Sequence, residues 1–176
     1  MLEIEIKAYC DNHDNVIEKI ISLGGRLSKT LRERDIYYNH PSRNFKETDE
    51  SLRIRIVDNK NILTYKGPKI DQNTKSRFEE EVEFVDLDSM IIILSKLGFV
   101  EVDEIIKDRD LYIINDIEVC IDKVEDLGSF VELEKRDMDR VTVEKELFEL
   151  AKDLGLSQFE RTSYLELKQK KNSDFY

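Results

Sequence analysis

Apolar and polar residues alternate one for one along several stretches of the chain, the period of a strand with one buried face. In residues 2–7, Leu2, Ile4 and Ile6 share one face while Glu3, Glu5 and Lys7 share the other. The same alternation sets Arg53 and Arg55 against Leu52, Ile54 and Ile56, and sets Glu132, Glu134 and Arg136 against Val131, Leu133 and Lys135. Arg77, Glu79, Glu81 and Glu83 lie opposite Phe78, Val82 and Phe84, with Glu80 interrupting the apolar side; Lys107 and Arg109 follow further on. If these strands are neighbours in one sheet, their charged faces merge into one surface carrying a carboxylate cluster and a guanidinium and ammonium cluster. An ordinary sheet with ion pairs on a wet face would give the same local pattern, since surface ion pairs are common and nearly neutral in energy.

Between these strands the period changes. Val16, Ile17, Ile20 and Ile21 mark a helix from Asp11 to Leu23, capped by Asp11, Asn12 or Asp14 and stopped by Gly24-Gly25. Asp86 to Leu97 is a second helix, apolar nearly all round from Met90 to Leu94, which is more than a surface helix needs. Arg140 to Leu154 is a third, capped by Asp137 or Asp139 and ended by Gly155. Residues 26–38, 51–57, 62–66, 77–85, 99–114, 117–122 and 130–135 read as further strands, with Asp58 to Asn61 as a tight turn. Asn39 to Asp49 reads as a loop, and Gly67-Pro68 as the start of a polar loop reaching about Lys75. Ser163 to Lys170 is a short helix or extended segment, and residues 171–176 are a polar tail expected to be disordered.

The layout repeats. Glu3-Ile4-Glu5, a helix ending at Leu23-Gly24, and Arg34-Asp35-Ile36-Tyr37 are echoed by Glu81-Val82-Glu83, a helix ending at Leu97-Gly98, and Arg109-Asp110-Leu111-Tyr112. Each half is then strand, helix and three strands. Two such halves related by a pseudo-twofold predict an α+β fold: a closed, eight-stranded antiparallel β-barrel with a charged interior and helices packed outside.

Composition narrows the setting. With 176 residues, 40% hydrophobic, the chain forms one domain, expected over residues 1–170. A net charge of −11 disfavours non-specific binding to nucleic acid or an anionic membrane, although a local basic pocket remains compatible with it. Cys10 and Cys120 are too few for a disulfide framework and have no metal-binding spacing. With no long apolar run and no basic-then-apolar leader, the expected location is the cytoplasm.

Several of these pieces occur together in one known family. Glu3-x-Glu5-x-Lys7, Asp35-Ile36-Tyr37, Leu52-Arg53-Ile54-Arg55, Thr64-Tyr65-Lys66-Gly67-Pro68, Glu79-x-Glu81-x-Glu83 and Lys107-x-Arg109 stand in order, followed by Asp122-x-Val124-x-x-Leu127-Gly128-x-Phe130-x-Glu132-x-Glu134 and Arg161-Thr162-Ser163-Tyr164. Over residues 1 to about 168 the sequence resembles the CYTH superfamily, the triphosphate tunnel metalloenzymes that include class IV adenylate cyclases, thiamine triphosphatases and inorganic tripolyphosphatases. It departs at Asn39-His40-Pro41, a turn where relatives often carry an Asp before the Pro.

The resemblance implies a small-molecule triphosphate substrate and a divalent metal, Mg²⁺ or Mn²⁺. A triphosphate needs fixed cations along its length, and Arg53, Arg55, Lys66, Lys107 and Arg109 supply them. Carboxylates beside such an anion require an intervening hard cation. Glu3, Glu5, Glu132 and Glu134 are the first choice of ligands, with Glu81 and Asp122 as further candidates. Lys7 and Arg77 are placed to orient phosphate or an attacking water, and Lys7, Glu5 and Lys66 are the expected catalytic groups. Three activities fit: a triphosphatase, favoured because no residue pattern specifies adenine; an adenylate cyclase forming cyclic AMP and pyrophosphate; and a polyphosphate-binding or nucleotide-binding module without turnover. The apolar helix from Met90 to Leu97, together with cyclase-like relatives, points to a homodimer.

Overall fold

The computed structural model describes residues 2–70, 74 and 77–173. Its strands are β1 (Leu2–Tyr9), β2 (Arg26–Asn39), β3 (Ser51–Val57), β4 (Lys60–Lys69), β5 (Arg77–Phe84), β6 (Val100–Ile114), β7 (Ile117–Val124) and β8 (Gly128–Asp137). They close into a barrel in the order β1-β5-β4-β3-β2-β6-β7-β8, each neighbouring pair antiparallel. Exchanging β1, β2, β3 and β4 with β5, β6, β7 and β8 maps this order onto itself, so the expected pseudo-twofold is present in the topology. The symmetry is imperfect. The β2–β6 ladder runs from Arg26↔Ile113 to Asn39↔Val100, whereas β1 meets β5, among the described residues, at Glu3↔Arg77. Nor do the two arginines of the repeat correspond. Arg34 faces outward and pairs with Glu104, while Arg109 faces inward and is buried.

The helices are α1 (His13–Ser22), α2 (Phe45–Thr48), α3 (Leu87–Lys96), α4 (Arg140–Leu154) and α5 (Tyr164–Ser173). Asn12, Asp86 and Asp139 cap α1, α3 and α4 through side-chain oxygens that accept backbone N–H groups, and Gly155 ends α4 at φ 79°. The outward apolar faces find the helices. Ile4, Ile6, Val119, Ile121, Val131 and Leu133 pack under Val16 and Ile20 of α1 and Val143, Leu147, Ala151 and Leu154 of α4. Ile36, Tyr38, Leu52 and Ile54 pack under Phe45 of α2 and Leu94 of α3. Burying these faces outside the barrel leaves the charged alternate positions nowhere to point but inward. Gly25 lets α1 turn tightly into β2: a Cβ there would fall 2.5 Å from Ile20 and 2.7 Å from Ile114.

Three local expectations are corrected. The loop Asn39 to Asp49 contains α2, held by Asn44 at its N-terminus and by burial of Phe45. Gly67-Pro68 lies inside β4, which continues to Lys69 through a register shift against β5; Pro lacks an N–H and is tolerated at such an irregularity. The chain beyond Lys171 is not all tail, because α5 runs to Ser173; residues 174–176 lie outside the described residues, as do 71–73 and 75–76 of the polar loop. Among the described residues no helix is long and apolar enough to cross a membrane.

Candidate active site

The barrel encloses a cavity of about 390 Å³. Its wall includes Glu3 and Glu5 of β1, Glu33 of β2, Arg53 and Arg55 of β3, Lys66 of β4, Arg77, Glu79 and Glu81 of β5, Lys107 and Arg109 of β6, and Glu132, Glu134 and Arg136 of β8. Most of the charged residues expected from alternation therefore meet in one chamber, whereas Lys7 and Glu83 do not line it, Glu83 pairing instead with Lys60 at 2.8 Å where both are exposed. Asp122, fully buried, stands behind Arg109. α5 lies across one mouth. Tyr164 reaches Asp122, Lys168 Nζ donates to Asp103 Oδ1 and Glu104 O at 2.9 and 2.8 Å, and Leu165, Glu166 and Gln169 face the cavity.

The charges are arranged in banks. In one, Arg55 grips Asp35 with two bonds, Nε to Oδ1 at 2.7 Å and Nη2 to Oδ2 at 2.8 Å, while Arg53 Nη1 donates to the same carboxylate at 3.3 Å. Glu33 bridges Arg55 and Lys107 at 3.1 and 3.2 Å. In a second, Arg109 donates to both oxygens of Asp122 at 2.6 and 2.5 Å and to Glu132 at 2.5 Å. In a third, Lys66 contacts Glu3 at 2.8 Å and Glu79 at 2.6 Å, and Arg136 contacts Glu3 at 3.2 Å. Glu81 accepts from Thr64 at 2.9 Å. Arg77 approaches Asp49 at 3.7 Å near Lys69. Lys7 is fully buried at the edge of this arrangement, its Nζ donating to Thr162 O at 2.5 Å beneath the segment leading into α5.

The simple wet-face reading applies to the other side of the same strands. Arg32 and Asp108 pair outside the barrel with side chains 59% and 57% exposed, where an ion pair contributes little. The inner pairs are a different case, because a buried charge that loses its partner is costly.

Burial opposes ionisation of Asp35, but Arg55 and Arg53 overcome it and hold its carboxyl well below the usual range. Burial also opposes ionisation of Glu33, and Lys107 and Arg55 pull it down to about 2. Glu79 goes the other way: burial first, then hydrogen bonding and charge from Glu3, outweigh Lys66 and raise it to about 7. A carboxyl whose folded pKa is low stabilises the fold above its unfolded value near 4.5 and loses that contribution as pH falls. One whose folded pKa is high stabilises the fold below that value and loses its contribution as pH rises towards 7. Stability is therefore expected to peak near about pH 4.5, to decline from there to about pH 7, and to fall again on the acid side as the low-pKa carboxyls protonate. Glu79→Gln should remove the alkaline loss, raising Tm relative to wild type at pH 8 by about 5 °C while changing little at pH 5, as read by calorimetry.

At one level of the barrel carboxylates stand side by side. Glu134 is opposite Glu5 on β1 and opposite Glu118 on β7. Like charges directly across a ladder destabilise it unless a cation intervenes. Burial, followed by Glu3 and Glu5, pushes the Glu134 carboxyl well up and favours its protonated form. All the donors are oxygens, which suits a hard divalent cation rather than zinc. Among the described residues no three His, Cys, Asp or Glu groups are already drawn into a metal-binding cluster, so the donor set fits in kind and charge without being preassembled.

Glu33, Asp35, Glu79, Glu118, Arg136 and Tyr164 belong to this chamber or its supports and were not among the site residues expected from sequence. Glu118 had a legible signal, because it alternates with Cys120 and Asp122. Burial pushes the Cys120 thiol well above its usual value, which makes it a poor nucleophile.

A CYTH domain profile matches residues 1–164. The chain belongs to the CYTH family. Over 173 residues this CYTH protein is 46% identical to a Methanocaldococcus jannaschii protein described as a candidate adenylate cyclase, the match covering 96% of the chain and 99% of the relative. It is 32% identical over 140 residues to an adenylate cyclase of Aeromonas hydrophila, covering 76% and 70% of the two chains. The solved structure of a Pyrococcus horikoshii protein superposes with a TM-score of 0.89 at 39% identity, covering 96% of this CYTH protein and 99% of that chain.

Proposed function

We propose that this CYTH protein is a divalent-metal-dependent triphosphatase acting on inorganic triphosphate, nucleoside triphosphates or both. The observation that carries this reading is the presence, in one enclosed cavity, of a guanidinium and ammonium bank beside a row of carboxylates. A plain anion binder gains nothing from the carboxylates, and a plain cation binder gains nothing from the arginines; a metal–phosphate complex uses both. Membership of a family that generally works with divalent metals supports it.

Arg53, Arg55, Lys66, Lys107 and Arg109 grip the phosphoryl oxygens, and Arg77 meets the anion at the mouth. Because Asp35, Glu33 and Asp122 already hold these side chains in place, little reorganisation is needed as charge develops in the transition state. Glu5, Glu132 and Glu134, with Glu3 and Glu81 beside them, would hold Mg²⁺ or Mn²⁺, whereas Asp122, expected as a further ligand, has both oxygens taken by Arg109 and Tyr164; a bound metal neutralises phosphate charge and acidifies a coordinated water. Lys7, Glu5 and Lys66 orient the terminal phosphate and the water that attacks it.

The second reading is the adenylate cyclase, favoured by the names of the two relatives. In that case the ribose 3′-hydroxyl attacks the α-phosphorus, and the organic end rests against Phe45, Asn44, Leu165 and Gln169 at the mouth between α2 and α5. These residues lie at the cavity's rim, whereas its buried interior is charged, so the wall recognises the triphosphate more closely than what is attached to it. Incubation with Mg²⁺ or Mn²⁺ and either inorganic triphosphate or ATP separates the readings. Phosphate without cyclic AMP supports the hydrolase; cyclic AMP with equal pyrophosphate replaces it with the cyclase; no product with either metal leaves a binding module.

A homodimer belongs to the same reading. Ile92 and Ile93 of α3 and Leu97 at its C-cap are 58%, 51% and 63% exposed, on the helix whose apolar excess suggested a partner. Light scattering is expected to give twice the chain mass for the wild type and the single chain mass for Ile92→Asp/Ile93→Asp, with the melting profile kept.

A further inference from the structure

The first turn of α5 places a side chain that touches two separate parts of the chamber. Tyr164 is 6% exposed, and its hydroxyl donates to Asp122 Oδ2 at 2.8 Å. That carboxylate receives both bonds from Arg109, which in turn reaches Glu132. A phenol adds a third donor to Asp122 without adding charge, so it fixes the rotamer that aims Arg109 while leaving the charge balance of the Arg109–Asp122–Glu132 chain unaltered. A cationic donor there would draw Asp122 away from Arg109. An apolar side chain would leave the carboxylate one bond short.

The ring does separate work. Lys7 Nζ stands 4.1 Å from its centroid and Lys107 Nζ 5.2 Å, while Phe130 packs edge-on at 5.0 Å and keeps the ring from turning. Two ammonium groups from strands on opposite sides of Asp122 are therefore seated on one aromatic ring. Lys107 already pairs with Glu33 at 3.2 Å; a ring face attracts an ammonium through its quadrupole, the Thr162 carbonyl attracts Lys7 through a dipole, and neither adds further negative charge beside the ammonium. A carboxylate in either place would.

We propose that Tyr164 is a positioning residue for triphosphate processing, its hydroxyl setting the Arg109–Asp122–Glu132 chain and its ring seating Lys7 and Lys107. The inference rests on the triphosphate reading above and assigns to the C-terminal segment a part in it. The same segment is bound to the opposite end of β1's charged run: Glu160 N donates to Lys7 O at 2.8 Å and Tyr9 N donates to Gln158 O at 2.9 Å. Docking of the C-terminal segment and completion of the site are thus one event.

Tyr164→Phe and Tyr164→Leu divide the two roles. Inorganic triphosphate is the probe, with binding by calorimetry in the absence of added metal and turnover with Mg²⁺ or Mn²⁺, each variant's fold being checked by its thermal melt. Phe keeps the ring, so its Kd and KM are expected within about twofold of wild type while kcat falls about 10-fold. Leu removes the ring as well, so Kd and KM are expected to rise about 10-fold or more, the scale of losing cation–π seats for two phosphate-binding groups. Rescue of binding, but not of kcat, by Phe relative to Leu is the signature that loss of packing alone would not give. If both variants match wild type in binding and turnover, or if both lose them in parallel with their melting temperature, the assignment is overturned. If wild type itself neither binds nor turns over triphosphate, the failure lies with the proposed function and not with Tyr164.

Discussion

Asp35→Ala is expected to lower the stability of the protein by about 3–5 kcal/mol, the cost of leaving buried charge unpaired. Asp35 is 1% exposed and receives two bonds from Arg55 and one from Arg53, whose side chains are themselves only 14% and 11% exposed. Removing the carboxylate leaves the two guanidiniums side by side with Lys107 nearby and Glu33 as the remaining shared anion. For a chain of this size the fall in Tm should be about 10 °C, read by calorimetry at pH 7. The functional side of the prediction is a repair. Guanidiniums released from Asp35 are the groups assigned to phosphate, so saturating inorganic triphosphate should raise the variant's Tm by more than it raises the wild type's. A loss below about 1 kcal/mol would mean that water reaches this bank and that the preorganisation argued from it is absent.

Glu134→Gln should do the reverse, abolishing turnover while sparing the fold. The side chain stands opposite Glu5 and Glu118, and in the metal-free protein burial and its neighbours keep a proton on it, a state that the amide imitates in shape and charge. Metal-free Tm is therefore expected to change by less than about 2 °C. With Mg²⁺ or Mn²⁺ present the amide cannot give up a proton to admit the cation. Even outer-sphere partners of a metal cost up to about 100-fold when removed, so turnover should fall by more than that. Glu132→Gln is the useful contrast, because Glu132 accepts from Arg109 and its loss should cost stability as well as activity. Turnover by Glu134→Gln near the wild-type rate would place the cation at another level of the barrel and remove the carboxylate row from the mechanism.

The barrel was readable in the chain because its inner and outer faces differ so sharply in chemistry. In β1, β3 and β8 one face is charged and the other aliphatic, so alternation alone assigns the direction of every side chain, and Glu3, Glu5, Arg53, Arg55, Glu132 and Glu134 lie in the chamber as expected. β2 gives no such signal. Arg32, Glu33, Arg34 and Asp35 carry charge on both faces, and which pair turns inward depends on partners in β3 and β6 far along the chain: Arg32 and Arg34 pair outside with Asp108 and Glu104, while Glu33 and Asp35 pair inside. Glu79 was visible as one of an alternating run, but its raised pKa comes from burial in the closed barrel and then from Glu3 on another strand. Tyr164 carried no local sign of its role, since the two lysines it seats come from β1 and β6. The four residues of α2 are too few to show a period and are held by Asn44 and the burial of Phe45 instead.

The ladder that closes the barrel also fixes when the site can come into being. β1 pairs along its whole length with β8, from Leu2↔Asp137 to Tyr9↔Phe130, so the barrel strand synthesised first has the barrel strand synthesised last as its partner. At about 5–20 residues per second it waits roughly ten seconds for that partner. In the meantime β2 to β5 can form a meander of neighbouring hairpins and β6 and β7 a further hairpin, held by local contacts that assemble quickly. A nascent chain that ends just before Gly128 already carries Arg53, Arg55, Lys66, Lys107 and Arg109, yet has no vessel in which to bring them to bear.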